Sequence, residues 1–327
     1  MIPEGFISPT ILPSSQNRSS KMETRIFSVQ TKNQLSVVEF ISSNIDTFDY
    51  LPLGRAVKKN LIVLKEISEG GSVNDVYVIN RSDKFVFIMD GDIIQGAKQN
   101  RIINTSILLA PMSKTQIQVS CVEQGRWQKV SNKFDAPDEF FAPSSIRSLK
   151  NTDVFNNLKK GGSHYANQSR VWSAVNDKLK DHKVSSETSN LGDIMKEKEG
   201  EFKAIEEEFK CGENVNGLAL FKENQFLGLD LFNSSIVYRD YFYKIVKGAA
   251  FDYSSGKKKE QKVDENELKY KTLDMLDKIE TLEKHRFKGA GVGYEDRFES
   301  DETTGFQLLY ENNLIHMAAM SYSKEGL

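Results

Sequence analysis

Short apolar runs rich in β-branched and aromatic residues fill the first half of the chain, and turn residues separate them. Such runs favour β-strands, because branched and aromatic side chains pack well on a pleated surface. The sequence therefore predicts strands over residues 34–41, 61–67, 76–79 and 85–89.

Three similar segments extend this pattern along the whole chain. Residues 86–96, 218–228 and 307–317 each contain an apolar run, then an acidic residue with Gly or Asn, then a second apolar pair. In the first segment, Asp90-Gly91 predicts a tight turn, since glycine accepts the positive φ of a primed hairpin. Each segment is expected to be a hairpin, and together they predict one β-rich body built from distant parts of the chain.

A further strand pair is predicted over residues 101–109 and 115–122. Successive side chains of a strand point to opposite faces, so Cys121 is expected to point inward with Ile117 and Val119. Glu123 continues the same inward parity, which is unusual for a carboxylate.

Helical spacing is found mostly in the second half of the chain, over residues 165–179, 194–209, 234–247 and 266–285. The fold class expected is α+β, with a β-rich sheet or sandwich-like core built from several antiparallel hairpins and peripheral helices in the C-terminal half. Residues 1–22 are expected to form a flexible leader. Residues 23–327 are expected to form a single domain with a lysine-rich helical insert at about 254–286.

Charge and composition restrict the kinds of partner. The chain has 44 basic and 46 acidic residues, and this near balance gives no general reason to expect binding to nucleic acid or to an anionic membrane surface. No apolar run approaches the roughly 20 residues that span a bilayer. Two cysteines are too few for a disulfide scaffold, and the four histidines lack the spacing of a metal site. We expect a cytoplasmic protein without a metal; the cofactor and the oligomeric state stay unassigned.

The segment 90–127 places polar residues inside this strand-like pattern, and it holds most of the candidate site. Arginine forks, amides, a carboxylate and an indole are groups that recognise phosphates, ribose hydroxyls and bases. The candidate ligand-binding residues are Gln99, Asn100, Arg101, Arg126, Trp127 and the more distant His316, and the candidate catalytic residues are Glu123 and Asp92.

A purely structural interpretation of the same residues stays open. An ion pair between Arg101 and Glu123, or between Arg126 and Asp92, would hold two hairpins together without any ligand. Trp127 would then be a core residue.

Several longer stretches resemble the bacterial ARG-and-rhodanese/phosphatase-superfamily-associated protein domain family, formerly a domain of unknown function. They begin with LPLGRAVKKNLIVLKEI and VNDVYVINRSDKFVFIMDGDIIQGAKQNRIINTSILLAP, and continue through VSCVEQGRW, NGLALFKENQFLGLDLF, GAGVGYEDRF and LLYENNLIHM. GAKQNR and VSCVEQGRW are the most specific of them. The chain departs from the family pattern at Asp92, where glutamate is usual, and in the insert around residues 257–262. The resemblance implies a role near ADP-ribose or NAD-derived metabolites.

Three functions are compatible with these features. The first is a binding module that recognises a small phosphorylated or nucleotide-like ligand in a polar cleft. The second is a hydrolase acting on an ADP-ribose-type metabolite with Glu123 or Asp92 as general base. The third is a scaffold that binds a partner through its charged helices. We favour binding, because the sequence supplies recognition groups without an evident nucleophile, base and orienting residue together.

Overall fold

The computed structural model of the protein describes residues 22–67, 74–126, 128, 130–137, 140–252 and 263–322. The predicted leader, apart from Met22, lies outside these residues, and so do Trp127 and the stretch 254–262 of the predicted insert. Within the described ranges, none of the helices has the length and apolarity that crossing a bilayer requires.

The strands of the described residues confirm the four short runs predicted from the sequence, which correspond to β2, β4, β5 and β6. In chain order the strands are β1 (Thr24–Lys32), β2 (Leu35–Ser42), β3 (Tyr50–Pro52), β4 (Ile62–Glu66), β5 (Asp75–Asn80), β6 (Phe85–Ile88), β7 (Ile93–Gly96), β8 (Arg101–Ile103), β9 (Ile107–Leu109), β10 (Lys114–Cys121), β11 (Phe134–Asp135), β12 (Gly217–Lys222), β13 (Gln225–Phe232), β14 (His285–Lys288), β15 (Tyr294–Glu299), β16 (Thr303–Tyr310) and β17 (Asn313–Ser321).

The helices lie mostly in the second half, as expected. They are α1 (Leu53–Lys58), α2 (Ser144–Lys159), α3 (Gln168–Asp181), α4 (Leu191–Glu197), α5 (Glu199–Glu208), α6 (Ser235–Phe251) and α7 (Glu265–Thr281). With 36% of the described residues in strands and 31% in helices, the structure confirms a β-rich α+β fold.

The strands form three sheets. The largest is an eight-stranded antiparallel sheet in the order β1-β2-β12-β13-β17-β16-β15-β14, and a closed barrel follows the order β10-β5-β4-β11-β7-β8. A small sheet of β3, β6 and β9 is the third. Because β2 pairs with β12, strands from the two halves of the chain build the large sheet together.

Helices cover both faces of the large sheet. On one face, α6 buries Tyr238, Tyr241 and Phe242 against a core that includes Phe232 and Leu308. On the other face, α7 packs a narrow stripe of Leu268, Leu276 and Ile279 against the alternate residues of the same strands. The large sheet is therefore apolar on both faces, and polar side chains buried beside it need partners.

Two of the three predicted hairpins are confirmed, namely β12–β13 and β16–β17. The first one is wrong. Gly91 does adopt a positive φ of 96° in a turn, but β6 pairs with β3 and β9 while β7 pairs with β8 and β11. The chain thus passes from one sheet to another at this turn. Asp90 and Asp92, on either side of Gly91, are held there by Arg147 of α2 and Lys244 of α6.

The second strand pair is only half correct. β8 pairs with β10, with Arg101 opposite Cys121, whereas β9 leaves the barrel and pairs with β6. The break falls at residues 104–106, whose polar side chains bond to buried groups elsewhere, as Asn104 Nδ2 does to the His164 carbonyl at 3.0 Å. Cys121 is fully buried together with Ile117 and Val119, as the inward orientation predicted for it requires.

The predicted helix boundaries also needed correction. The helix expected over 194–209 is two helices, α4 and α5, which meet at Lys198. Ser234 caps α6, and α6 continues past Gly248 to Phe251, beyond the end expected at residue 247. A Cβ at position 248 would lie 2.6 Å from the Ala142 carbonyl oxygen, so Gly248 serves close packing and does not end the helix. Helix α2 was not predicted.

Candidate functional site

The structure brings together five of the predicted site residues at one end of the barrel, where β7 and β10 end and β8 begins. We call them the barrel-end cluster: Gln99, Asn100, Arg101, Glu123 and Arg126. Arg126 Nη2 donates to Glu123 Oε2 at 2.6 Å and to Asn100 Oδ1 at 3.2 Å, and the Asn100 N–H donates to Glu123 Oε2 at 3.1 Å. The polar atoms of the cluster thus bond largely to one another.

Arg101 is paired differently from either ion pair considered above. Its guanidinium lies 3.8 Å from Glu66 on β4, and Nη1 donates to Gln99 Oε1 at 3.3 Å. The pairs that form are Arg101–Glu66 and Arg126–Glu123, so both partner assignments made from the sequence were wrong. Arg101 is 1% exposed, and it links β8 to β4 inside the barrel end.

Glu123 is held as a carboxylate. Burial alone would raise the pKa of Glu123, but hydrogen bonds from Arg126 and from the Asn100 N–H outweigh burial and leave that pKa below its usual range. A general base works best with a pKa near neutrality, so Glu123 in this arrangement is a weak base. Catalysis by Glu123 stays a prediction, as does ligand binding by its neighbours and by Trp127, which lies outside the described residues.

Asp92, the other candidate base, lies apart from the cluster and beneath α6. Its Oδ2 accepts hydrogen bonds from Tyr241 Oη at 2.6 Å and from the Met89 N–H at 3.0 Å, while Oδ1 accepts one from Lys244 Nζ at 3.1 Å. Asp92 is 1% exposed. In this position it fixes the side chains of Tyr241 and Lys244.

Those two side chains lie at the base of a cavity of about 560 Å³, which we call the α5–α6 pocket. Helices α5 and α6 form two of its walls, and the third comes from the end of β3 and from α1. It is lined by Pro52, Gly54, Arg55, Lys58, Met195, Glu199, Phe202, Lys203, Glu206, Asp240, Tyr241, Tyr243, Lys244 and Lys247.

The lining combines basic and aromatic side chains. Five lining residues are basic and three are acidic, and three others carry aromatic rings. Arg55 holds Asp240 with two hydrogen bonds, and Lys247 Nζ lies 2.6 Å from Glu206 Oε1. At the base, burial and the neighbouring Asp92 carboxylate raise the pKa of Tyr241, which keeps its hydroxyl protonated as a donor. Basic groups outnumber acidic ones by two among the lining residues, and by one when Asp92 beneath Lys244 is included, so the lining carries a small positive charge that favours an anion.

His316 lies in a third place, a buried charge network between the large sheet, α2 and the turn at Gly91. The network consists of Asp90, Ser106, Arg147, Asp230 and His316. Arg147 donates to Asp90 at 3.0 and 3.1 Å and to Asp230 at 2.7 and 2.9 Å. Burial alone would raise the pKa of Asp230, but Arg147 and His316 lower it to about 2.

Two chemical roles suggest themselves for this network, and its geometry supports neither. His316 Nδ1 lies 3.0 Å from Ser106 Oγ, and His316 Nε2 lies 3.2 Å from Asp230 Oδ1, an order of contacts like that of a catalytic triad. All three residues, however, are at most 2% exposed. Asp90, Asp230 and His316 also place ligand atoms within 4.8 Å of one another, a spacing compatible with a metal ion. The Arg147 guanidinium already bonds to both carboxylates, so it supplies the positive charge there.

Two further buried ions extend the network. Burial lowers the pKa of Lys150 to about 7, and its ammonium donates to the Ile103 carbonyl on β8. Burial alone would raise the pKa of Glu295, but Arg297 and His164 lower it to about 2. Arg297 on β15 also donates to Asn151 Oδ1 on α2 at 2.8 Å. Contacts of α2 with β8 and with β15 therefore connect the barrel to the large sheet.

A comparison with protein families identifies the chain. The family model of the ARG and Rhodanese-Phosphatase-superfamily-associated Protein domain, ARPP-1, matches residues 23–320. The chain belongs to the ARPP-1 family. This confirms the resemblance found in the sequence, and the α5–α6 pocket, the barrel-end cluster and the charge network all lie within the ARPP-1 domain. Comparison with curated proteins and with solved structures gives no match.

Sequence reasoning missed the pocket residues of this ARPP-1 domain, although a signal for them exists on α6. Tyr241, Lys244 and Lys247 follow one another at intervals of three, which places them along one face of a helix. Arg147 carried no comparable signal, because α2 was not predicted and its partners lie 57 and 83 residues away along the chain.

Proposed function

We propose that this ARPP-1 domain is a binding module for a small phosphorylated or nucleotide-like ligand, and that the ligand enters the α5–α6 pocket. One observation carries the proposal, namely that a cavity of about 560 Å³ is lined by five basic side chains and three aromatic rings. Small-molecule sites typically measure about 300–1,000 Å³ and combine apolar walls with a few polar groups.

The two kinds of side chain suit the two parts of a nucleotide. Lys203 and Lys247 pair with Glu199 and Glu206 in the ligand-free protein, and their ammonium groups would bind phosphate oxygens in exchange for these carboxylates. Charge-assisted hydrogen bonds of this kind are stronger than neutral ones. Phe202 and Tyr243 offer rings against which a base or sugar can pack. ADP-ribose and NAD are the first ligands to test, in keeping with the metabolites that the family resemblance implies.

The barrel-end cluster is the competing location, as the sequence predicted. Its side chains have the chemistry for phosphate recognition, but a ligand there would have to replace the bonds that Arg126 makes to Glu123, to Asn100 and to the Ala97 carbonyl. In the α5–α6 pocket a cavity is already present, and an anion there would have to displace only the partly or largely exposed carboxylates of Glu199 and Glu206 from Lys203 and Lys247. For that reason we favour the α5–α6 pocket.

Isothermal titration distinguishes the two locations. ADP-ribose, NAD, AMP and inorganic pyrophosphate would be titrated into the wild type, Lys247→Ala and Arg126→Ala. Lys269→Ala is the matched control, since Lys269 pairs with Glu265 on α7, on the opposite face of the large sheet. We expect at least one compound to bind, with affinity reduced about tenfold or more in Lys247→Ala, as for the loss of a charged hydrogen bond.

The other variants are expected to match the wild type. Binding that is lost in Arg126→Ala and kept in Lys247→Ala would move the site to the barrel-end cluster. Failure of all four compounds to bind the wild type would contradict the proposed function.

A further inference from the structure

Helix α5 forms one wall of the α5–α6 pocket, yet it is weakly attached to the rest of the described structure. None of the side chains in this helix is buried. Its apolar contacts include Phe202, whose ring stacks on Phe251 at 5.6 Å, and Ile205, which packs at the edge of the core. A helix gains most of its stability from packing an apolar face, so α5 depends strongly on its few remaining tethers.

The charges of α5 weaken it further. Its last turn contains Glu206, Glu207 and Glu208 and no basic residue. Negative charges near the C-terminus of a helix are unfavourable, because the helix dipole is negative at that end. Lys247 on α6 compensates for one of these charges through its ion pair with Glu206 at 2.6 Å.

Glu206 thus already binds Lys247, the cation that an anionic ligand would use. The Lys247 side chain is 13% exposed and belongs to α6, most of whose residues are buried, whereas the Glu206 side chain on α5 is 45% exposed, so the carboxylate reaches inward to the lysine. A phosphate entering the pocket must take the place of this carboxylate to reach Lys247.

We propose that Glu206 is a built-in competitor for Lys247, so that α5 is a gate that an anionic ligand releases from α6. This inference rests on the proposed function, because it concerns the same pocket. Glu206 then determines specificity for anions. A ligand without an anionic group cannot replace the Glu206 carboxylate on Lys247, so the gate stays closed.

The chain offers a matched control on the same helix. Glu208 is exposed, and the described residues give it no ion pair. Glu206→Gln and Glu208→Gln each remove one negative charge from α5, so the net charge of the helix and of the protein changes equally in both. The two variants differ in whether the carboxylate on Lys247 is removed.

Inorganic pyrophosphate is the binding probe, measured by isothermal titration with the full chain. We expect Glu206→Gln to tighten binding about fivefold, as for the loss of a partly exposed ion pair, and Glu208→Gln to change it less than twofold. Equal affinities in the two variants, with binding present, would overturn the gate and leave the proposed function standing.

Hydrogen exchange of the α5 amides in the ligand-free protein tests the tether separately. Exchange at residues 199–208 should be faster in Glu206→Gln than in the wild type, and unchanged or slower in Glu208→Gln, which loses an unfavourable charge at the helix end. Equal exchange in both variants would refute the tether. A third outcome is faster exchange in Glu206→Gln without pyrophosphate binding in any variant. The tether would then exist, but the pocket would bind no such anion, and the competitor role of Glu206 would be refuted together with the proposed function.

Discussion

Arg147 joins two buried carboxylates, and replacing it with methionine tests the charge network directly. Its guanidinium, 3% exposed, makes four hydrogen bonds, two to Asp90 and two to Asp230, at 2.7–3.1 Å. Methionine fills much of the space but leaves both carboxylates without that partner. Removing one partner of a buried ion pair costs about 3–5 kcal/mol, and a folded domain is stable by only about 5–15 kcal/mol. We therefore expect Arg147→Met to lose about 3–5 kcal/mol or more.

The assay is urea unfolding at pH 7, followed by circular dichroism. The comparison variant is the triple substitution Asp90→Asn/Arg147→Met/Asp230→Asn, which removes all three charges together. Because the cost arises from uncompensated buried charge, the triple variant should recover at least half of the lost stability. A loss below about 1 kcal/mol in Arg147→Met, within the range of ordinary substitutions, would refute the reasoning. So would a triple variant no more stable than the single one.

Three further predictions follow from packing and charge. Alanine in a helix interior is usually about 1 kcal/mol more favourable than glycine. Gly200 lies in the first turn of α5 and a Cβ there meets nothing within 4 Å, so we expect Gly200→Ala to stabilise by at most about 1 kcal/mol in chemical denaturation. We expect the opposite sign for Gly248→Ala, whose Cβ would lie 2.6 Å from a carbonyl oxygen. Burial lowers the pKa of Lys150 to about 7, so the unfolded chain binds this proton more tightly; Lys150 should therefore make stability rise from pH 7 towards pH 10, and unfolding curves of Lys150→Met should lack that rise. The pKa of Glu295 is lowered to about 2, so its stabilisation is present above the unfolded value of about 4.5 and is lost as the pH falls towards 2; acid unfolding that is unchanged in Glu295→Gln would contradict this.

The predictions that succeeded rest on interactions local in sequence. The strands β4 and β5 and the hairpins β12–β13 and β16–β17 follow from runs and turns contained within about 20 residues. The inward side of Cys121 follows from the period of two along one strand. Such features need no knowledge of what packs against them.

The predictions that failed required partners from distant parts of the chain. Asp90-Gly91 has the chemistry of a hairpin turn, but the side chains around it bind to α2 and α6, and the strands on either side enter different sheets. An ion pair between Arg101 and Glu123 was one of the alternatives that the sequence left open, yet barrel closure brings Glu66 to Arg101. A pattern within one segment cannot specify which of several acids a buried arginine meets.

The sequence by itself determined the β-rich α+β class, the resemblance to a family and the joining of Gln99, Asn100, Arg101, Glu123 and Arg126 in one polar cluster. The tertiary structure decided that this cluster is bonded within itself and that a cavity forms elsewhere, between α5 and α6. The physical reason is that secondary structure depends on the period of apolar residues along the chain, which any segment displays alone. A cavity and the charges around it depend on which helices meet, and here Arg55, Glu206 and Lys247 come from three helices whose sequences show no relation to one another.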